Sequence, residues 1–183
     1  MKYKLYQSKL IEENFENFVQ ECWDNHANFK NIFPKGNSTW NYHTYNIFAL
    51  TCSSTLFYYL FKELNFHIRS FIGDGRPLWM QSWLNFHSSD EVLKQHSHEW
   101  SYHGYISIDP KNTTTVFNNF EIKNKIGQIY LGPGGEEYSH YVKVNEPYND
   151  KRITLGFDIS DNRNYNFNSG NLTSFRLGLI PLI

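Results

Sequence analysis

Apolar residues recur at helical spacing in two early stretches of this 183-residue chain and alternate with polar ones over most of the remainder. Ile11, Phe15, Phe18, Val19, Cys22 and Trp23 fall three or four positions apart, which predicts a helix from about Lys9 to Trp23. Ser8 is placed to cap it, and Glu12 and Glu13 sit near its start. The polar stretch from Asp24 to Asn46, with Pro34 and Gly36, reads as loop. A second helix is expected from Ser53 or Ser54 to Leu64, with Leu56, Phe57, Leu60, Phe61 and Leu64 as its apolar stripe. Both helices read as supports packed against a sheet.

Beyond Leu64 the period shortens. Strands are expected near Phe66–Ile72, Leu78–Phe86, His98–Ile108, Thr114–Phe117, Gly127–Leu131, His140–Val144, Ile153–Ile159 and Ser174–Leu179. Turn signals separate them at Gly-Asp-Gly (73–75), Ser-Ser-Asp (88–90), Asp-Pro-Lys-Asn (109–112), Gly-Pro-Gly-Gly (132–135) and Pro-Tyr-Asn-Asp (147–150). Many short strands after two helices argue for a mostly β fold, a sandwich or barrel. The length suits one domain, with residues 1–65 as helical support and loop and 66–183 as the β core.

Composition sharpens this reading. Aromatic residues make up 18% of the chain and charged residues 19%, so Phe and Tyr must fill much of the interior. A formal net charge of −1 offers no electrostatic argument for nucleic acid or an anionic membrane. With only Cys22 and Cys52, neither a disulfide framework nor a thiolate zinc site is expected, and a reducing cytoplasm is the default. The first residues lack an apolar signal region, and no run approaches membrane-spanning length. The three Asn-X-Ser/Thr patterns at 37, 112 and 171 are then read as chance in an asparagine-rich chain. Oligomeric state is open, although a barrel edge or the helical layer could support a homodimer.

Candidate chemistry starts with His96 and His98 in Lys94-Gln-His-Ser-His-Glu-Trp-Ser-Tyr-His-Gly104. On a strand, alternate side chains share a face, so both imidazoles would enter one space and could chelate a divalent transition metal. By the same parity Trp100, Tyr102 and Gly104 would join them, while His103 and Tyr105 would point away. His140 is the best distal partner, sharing a face with Val142 and Val144. In Arg152-Ile-Thr-Leu-Gly-Phe157, the odd positions are apolar and the even ones carry Arg152 and Thr154, a pair able to grip a carboxylate.

In order, Trp-Leu-Asn (83–85), His96-Ser-His98, Gly104-Tyr-Ile-Ser, Gly127-Gln-Ile-Tyr-Leu-Gly-Pro-Gly, His140 and Arg152-Ile-Thr-Leu-Gly-Phe-Asp158 resemble the iron(II)/2-oxoglutarate-dependent oxygenases. Within them, the chain looks most like small marine and phage-type members with an HxH in the first metal-ligand segment. The resemblance covers about Leu78 to Asp158. It implies a double-stranded β-helix, a jelly-roll or cupin-like barrel, with iron(II) at its mouth. It further implies His96 and His140 as ligands, and Arg152 with Thr154 holding the far carboxylate of 2-oxoglutarate. Asn85 would be a further cosubstrate contact. The expected activity is an oxidoreductase's: a dioxygenase consuming O2 and 2-oxoglutarate, releasing succinate and CO2, and hydroxylating an organic substrate the sequence does not identify.

One departure stands out. The family's usual triad is two histidines and a carboxylate, spaced HxD or HxE, whereas the third position here is His98. A three-histidine site, Glu99 reaching round through a bulge, and a degraded site all stay open, with the first favoured. A cupin-type three-histidine metalloprotein without 2-oxoglutarate is the runner-up, since Gly127, Pro133, Gly135 and His140 approach a cupin second motif with the final His two residues late. A metal-free β-barrel that binds a ligand or partner is the third reading. His26, His43, His67, His87 and His103 have no partner at a telling spacing and read as non-ligands. Trp83, Trp100 and Tyr102 read as filling or pocket wall. For Arg152 the plain alternative is an ion pair with Asp150 or Asp158.

Overall fold

The computed structural model describes residues 2–32, 45–91, 93–161 and 178–183. Strand β1 (Lys4–Gln7) is followed by helices α1 (Lys9–Glu13), α2 (Phe15–Ile32), α3 (Ile47–Leu50) and α4 (Thr55–Ile72). The chain then enters β2 (Leu78–His87), β3 (Tyr102–Asp109), β4 (Thr113–Phe117), β5 (Glu121–Lys123) and β6 (Gln128–Pro133). A 3-10 turn over Glu136–Tyr138 leads to β7 (His140–Val144), β8 (Arg152–Ser160) and β9 (Ile180–Leu182). The described strands form two antiparallel sheets, one ordered β1-β6-β3-β8-β2-β9 and the other β5-β4-β7.

The helices begin and end where local chemistry dictates. Ser8 accepts the Ile11 amide and opens α1 as expected. Asn14 interrupts that helix, its side chain donating to the Leu10 carbonyl at 2.9 Å, and α2 restarts at Phe15. The loop expected from Asp24 is helical as far as Ile32; residues 33–44 lie outside the described part. Ser54 caps α4 by accepting from Phe57.

The strand expected at Phe66–Ile72 is instead the second half of α4. Phe57, Leu60, Leu64, Ile68, Phe71 and Ile72 are all buried, so the helical stripe runs on past Leu64, while Phe66 points outward and is 68% exposed. The helix stops at Gly73, whose left-handed φ of 79° lets its N–H donate to the Arg69 carbonyl.

Among the strands, β2, β4, β7 and β8 fall within a residue of expectation at each end, whereas β3 starts at Tyr102 rather than His98. Short β1 and β5, and helix α3, were not anticipated. Of the last expected strand, 174–177 lie outside the described residues; the observed strand is Ile180–Leu182.

Two cores result. The larger lies between the helices and the outer face of the six-stranded sheet, and includes Phe18, Phe57, Leu60, Leu64, Leu84, Phe86, Ile106, Ile153, Leu155, Phe157 and Ile159. The smaller, formed by Tyr105, Phe117, Ile122 and Tyr130, belongs to the space between the sheets. The mostly β character expected from the sequence is observed, as a sandwich with helices on one side. Among the described residues, no helix is long and apolar enough to cross a membrane.

Candidate functional site

Strand β8 builds one wall of the space between the sheets. It pairs with β2 on one side and β3 on the other, placing Asn85 opposite Thr154, Trp83 opposite Gly156, Ser107 opposite Thr154 and His103 opposite Asp158. Its even positions Arg152, Thr154 and Gly156 line a narrow cleft that opens to solvent. Its odd positions Ile153, Leu155, Phe157 and Ile159 are fully buried in the larger core. The alternation read from the sequence therefore holds here.

It fails in the histidine segment. His96 makes only an isolated antiparallel bridge to His140, through reciprocal backbone bonds of 3.0 and 2.9 Å. Residues 97–101 then leave any ladder. Gly134 and Gly135 clamp this bend, their amides donating to the carbonyls of Ser101 and His98 at 3.1 and 2.7 Å. A Cβ on Gly134 would overlap the Trp100 carbonyl oxygen, so only glycine permits so close an approach. The bend resets strand parity. Tyr102 consequently faces the helical layer, edge-on to Phe71 with centroids 6.0 Å apart, and is not a cleft residue as expected. His103 and Tyr105, expected to point away, line the cleft.

His96, His98 and His140 nonetheless converge, with one ring nitrogen of each within 4.8 Å of the other two. Each ring is oriented through Nδ1. His96 Nδ1 lies 2.9 Å from the Lys94 carbonyl, His140 Nδ1 3.1 Å from the Tyr138 carbonyl, and His98 Nδ1 2.7 Å from Asp158 Oδ1. A backbone carbonyl oxygen only accepts, so Nδ1 is the donor in His96 and His140, and the Nδ1 of His98 faces a carboxylate oxygen. Such outer hydrogen bonds orient metal-ligating histidines.

Burial pushes His140 down to about 3, helped by neighbouring His96 and His98, and it lowers His96 as well. These two imidazoles are therefore neutral at physiological pH, the form that binds a metal. Glu99 is exposed and is not part of the histidine group. Glu136 accepts from the Ser97 hydroxyl at 2.7 Å.

A fourth imidazole was missed from the sequence. His103 is 1% exposed and stacks on His98 at 4.3 Å with planes 5° apart. Neither of its ring nitrogens completes a hydrogen bond, although the Pro133 backbone is near enough to favour protonation slightly. Burial wins and holds His103 well below the ordinary imidazole range.

Further along the cleft, Arg152 is 4% exposed, and its Nε has no hydrogen-bond partner. Among the described residues no carboxylate pairs with it: Asp150 lies by Lys111 at 3.8 Å and Asp158 is taken by His98. Burial lowers the guanidinium's pKa, opposed by Tyr105 and Tyr148. Nearby His87 is pushed down to about 4 by burial and by Arg152 itself. Asn85 adds a buried Oδ1 without a partner, beside Thr154. A buried cation facing a cleft without a counter-charge is costly unless an anion enters.

Comparison with known proteins adds the fold. No family model matches the chain, and no curated protein matches it by sequence. The viral collagen prolyl hydroxylase of Paramecium bursaria chlorella virus 1, solved as a 2OG complex, aligns over 87% of this chain and 96% of its own, with a TM-score of 0.56 at 11% identity. The two chains share a fold. An oxidoreductase of the 2OG-Fe(II) oxygenase family from Burkholderia pseudomallei aligns over 52% of this chain and about half its own length (50%), with a TM-score of 0.42 at 11% identity.

Proposed function

We propose that this chain is an iron(II)/2-oxoglutarate-dependent dioxygenase on a double-stranded β-helix. His96, His98 and His140 are its iron ligands; Arg152, Thr154 and Asn85 hold the cosubstrate. The observation that carries the reading is the buried Arg152 guanidinium, unpaired by any described carboxylate, in the same cleft as three convergent imidazoles.

The strand order supports the barrel assignment. From β2 the chain passes to the His96 bridge at the edge of the small sheet, back to β3, across to β4 and β5, back to β6, across to β7 and finally to β8. Such alternation between two facing sheets is what a jelly-roll winding requires. The shared fold with the viral hydroxylase agrees with it.

The donor set fits the metal. Three converging imidazoles suit a first-row divalent ion, and iron(II) is among those imidazole binds well. Arg152 fits a dicarboxylate, because a guanidinium fork takes one carboxylate bidentately while leaving the other end to reach the histidines. When bound, iron(II) with 2-oxoglutarate supplies oxidative decarboxylation to succinate and CO2, coupled to hydroxylation of a substrate C–H bond. The chain's own work is positioning. Arg152 fixes one end of the diacid, Thr154 and Asn85 offer a hydroxyl and an amide beside it, and buried Tyr105 and Tyr130 exclude water from the inner cleft. A cupin-type metalloprotein is the second reading. The all-imidazole donor set favours it, but it leaves the Arg152 charge without a ligand.

Anaerobic titration with iron(II) and then 2-oxoglutarate separates the two. The dioxygenase develops a visible charge-transfer band and forms succinate once air is admitted. Iron uptake without that band would favour the cupin. Arg152→Ala should weaken 2-oxoglutarate binding and spare iron; equal loss of both would remove the role given to Arg152.

A further inference from the structure

The three histidines are held by unequal partners, and the inequality falls on the position where the triad departs from two histidines and a carboxylate. His96 and His140 donate Nδ1–H to neutral backbone carbonyls, whereas His98 donates to a carboxylate. Asp158 is 3% exposed, and the pair's side chains are 11% and 4% exposed, so water screens this contact little. Resting on the dioxygenase reading, we propose that Asp158 supplies through the His98 ring the negative charge that a directly bound carboxylate would otherwise bring to the metal.

The physical chemistry is that of a carboxylate–histidine–metal relay. An anionic acceptor on Nδ1–H pushes electron density toward Nε2, making that nitrogen a stronger donor, and it fixes both tautomer and ring orientation. A carbonyl acceptor fixes the tautomer but carries no net charge. Three plain imidazoles would leave a divalent ion's full charge in the cleft; Asp158 reduces it from one bond further out.

Its placement is built from two directions. Asp158 sits on β8 at the same parity as Arg152, opposite His103 across the ladder. His103 in turn lies flat against His98, with planes 5° apart, and so limits how the ring can tip away from the carboxylate. Among the described residues no acid joins the histidine group: Glu99 is exposed, and Glu136 is bonded to Ser97. Asp158 is thus a positioning residue acting through His98, not a ligand.

The test is cobalt(II) binding, read by visible absorption. The near-isosteric Asp158→Asn keeps a hydrogen bond but removes the charge. It should weaken cobalt(II) binding about 10–100-fold and shift the visible bands, with the apoprotein still folded by circular dichroism. On a His98→Ala background the same substitution should change cobalt affinity less than twofold, because the relay's carrier is gone. Binding by Asp158→Asn within twofold of wild type, with an unchanged spectrum, would overturn the proposal. So would an equal loss on the His98→Ala background, which would mark a general structural role.

Should Asp158→Asn fail to fold, wild-type protein loaded with zinc gives a second reading by NMR. The Nδ1 proton of His98 should then lie furthest downfield of the three ligand histidines, and equal positions would overturn the relay. A wild-type chain that takes up no divalent metal would instead sink the dioxygenase reading and the relay together, an outcome distinct from the variant-specific failures.

Discussion

The two faces of β8 are buried almost equally, yet they have opposite relations to their surroundings. Ile153, Leu155, Phe157 and Ile159 are 0% exposed and meet apolar side chains of the helical layer. Arg152, Thr154 and Asp158 are 3–4% exposed; Arg152 and Thr154 line the cleft, and Asp158 meets His98 at its edge. Atoms on the first face have what they need; on the second, Arg152 Nε, and Asn85 Oδ1 beside Thr154, have none. Burial alone does not separate core from site. Unsatisfied polarity does, because a fold keeps a buried charge without a partner only at a cost that a ligand can offset.

The largest effects should come from substitutions that exchange these relations. Phe157→Ala opens a cavity in the apolar face and should destabilise the chain by about 3–5 kcal/mol. Arg152→Met on the other face should do the reverse. It replaces an unpaired buried cation with an apolar chain of similar length, and the apoprotein should gain on the order of 1–4 kcal/mol. The same variant should lose all stabilisation by 2-oxoglutarate. Denaturant melts of both variants, with and without cosubstrate, check the pair; a destabilised Arg152→Met would mean the guanidinium is already satisfied in the apoprotein.

Acid should attack the cleft face before the apolar one. His140 is pushed down to about 3, His87 to about 4, and His96 and His103 are also lowered, in each case chiefly by burial. In the unfolded chain these groups take up protons near 6.5, so between there and their folded values the unfolded state binds more protons. Apoprotein stability should therefore be fully present above about 6.5 and fall steadily toward pH 4. Thermal melts across that range should show the fall, and His140→Phe should flatten it. A melting temperature flat from pH 7 to 4 would contradict the burial of neutral imidazoles.

The same two faces explain what could be read from the chain alone. Regular strands preserve parity, so β8 disclosed both its core face and the Arg152–Thr154 pair, and β7 disclosed His140. The histidine segment also yielded His96 and His98, but for a reason other than the one used: it is no strand, and the rings meet because one isolated bridge and a glycine-clamped bend deliver them. Parity carried through that bend put Tyr102 in the cleft and His103 outside it, and both placements are reversed. Asp158 stood in the recognised motif at the same parity as Arg152, but a role for it needs the His98 contact, which spans sixty positions of sequence. Strands β1 and β5, at four and three residues, are too short to show a period. The end of α4 misled because Phe66–Ile72 is rich in β-formers, and only packing of Ile68 and Phe71 against the core decides for helix.

The bend itself can be broken with little direct effect on either face of β8. Gly134→Ala places a methyl group against the Trp100 carbonyl and at 2.9 Å from the His98 carbonyl, both backbone atoms that cannot swing away. The bend must open, at a cost of about 1–3 kcal/mol. Cobalt(II) affinity should fall while the Arg152 end still accepts 2-oxoglutarate, which calorimetry can resolve. Unchanged metal affinity would mean that the bend does not aim His98.

The smallest expected effect tests the cleft face at its least charged position. Thr154 lies between Arg152 and Gly156 on that face, opposite both Asn85 and Ser107. Thr154→Val keeps the branched shape and the strand preference but removes the hydroxyl. If the hydroxyl's work is one hydrogen bond to the cosubstrate carboxylate, its loss is worth about 1.5–3 kcal/mol at most, since a charged acceptor is involved. Partial compensation by the Arg152 fork should bring the observed change to roughly a tenfold weaker 2-oxoglutarate affinity. Iron affinity and melting temperature should stay where they are, because Thr154 is not a ligand and lies on the cleft face, away from the larger core. Lower stability with unchanged cosubstrate binding would place Thr154 with Ile153 and Leu155 as a packing residue, and the polar face would then shrink to Arg152 and Asp158.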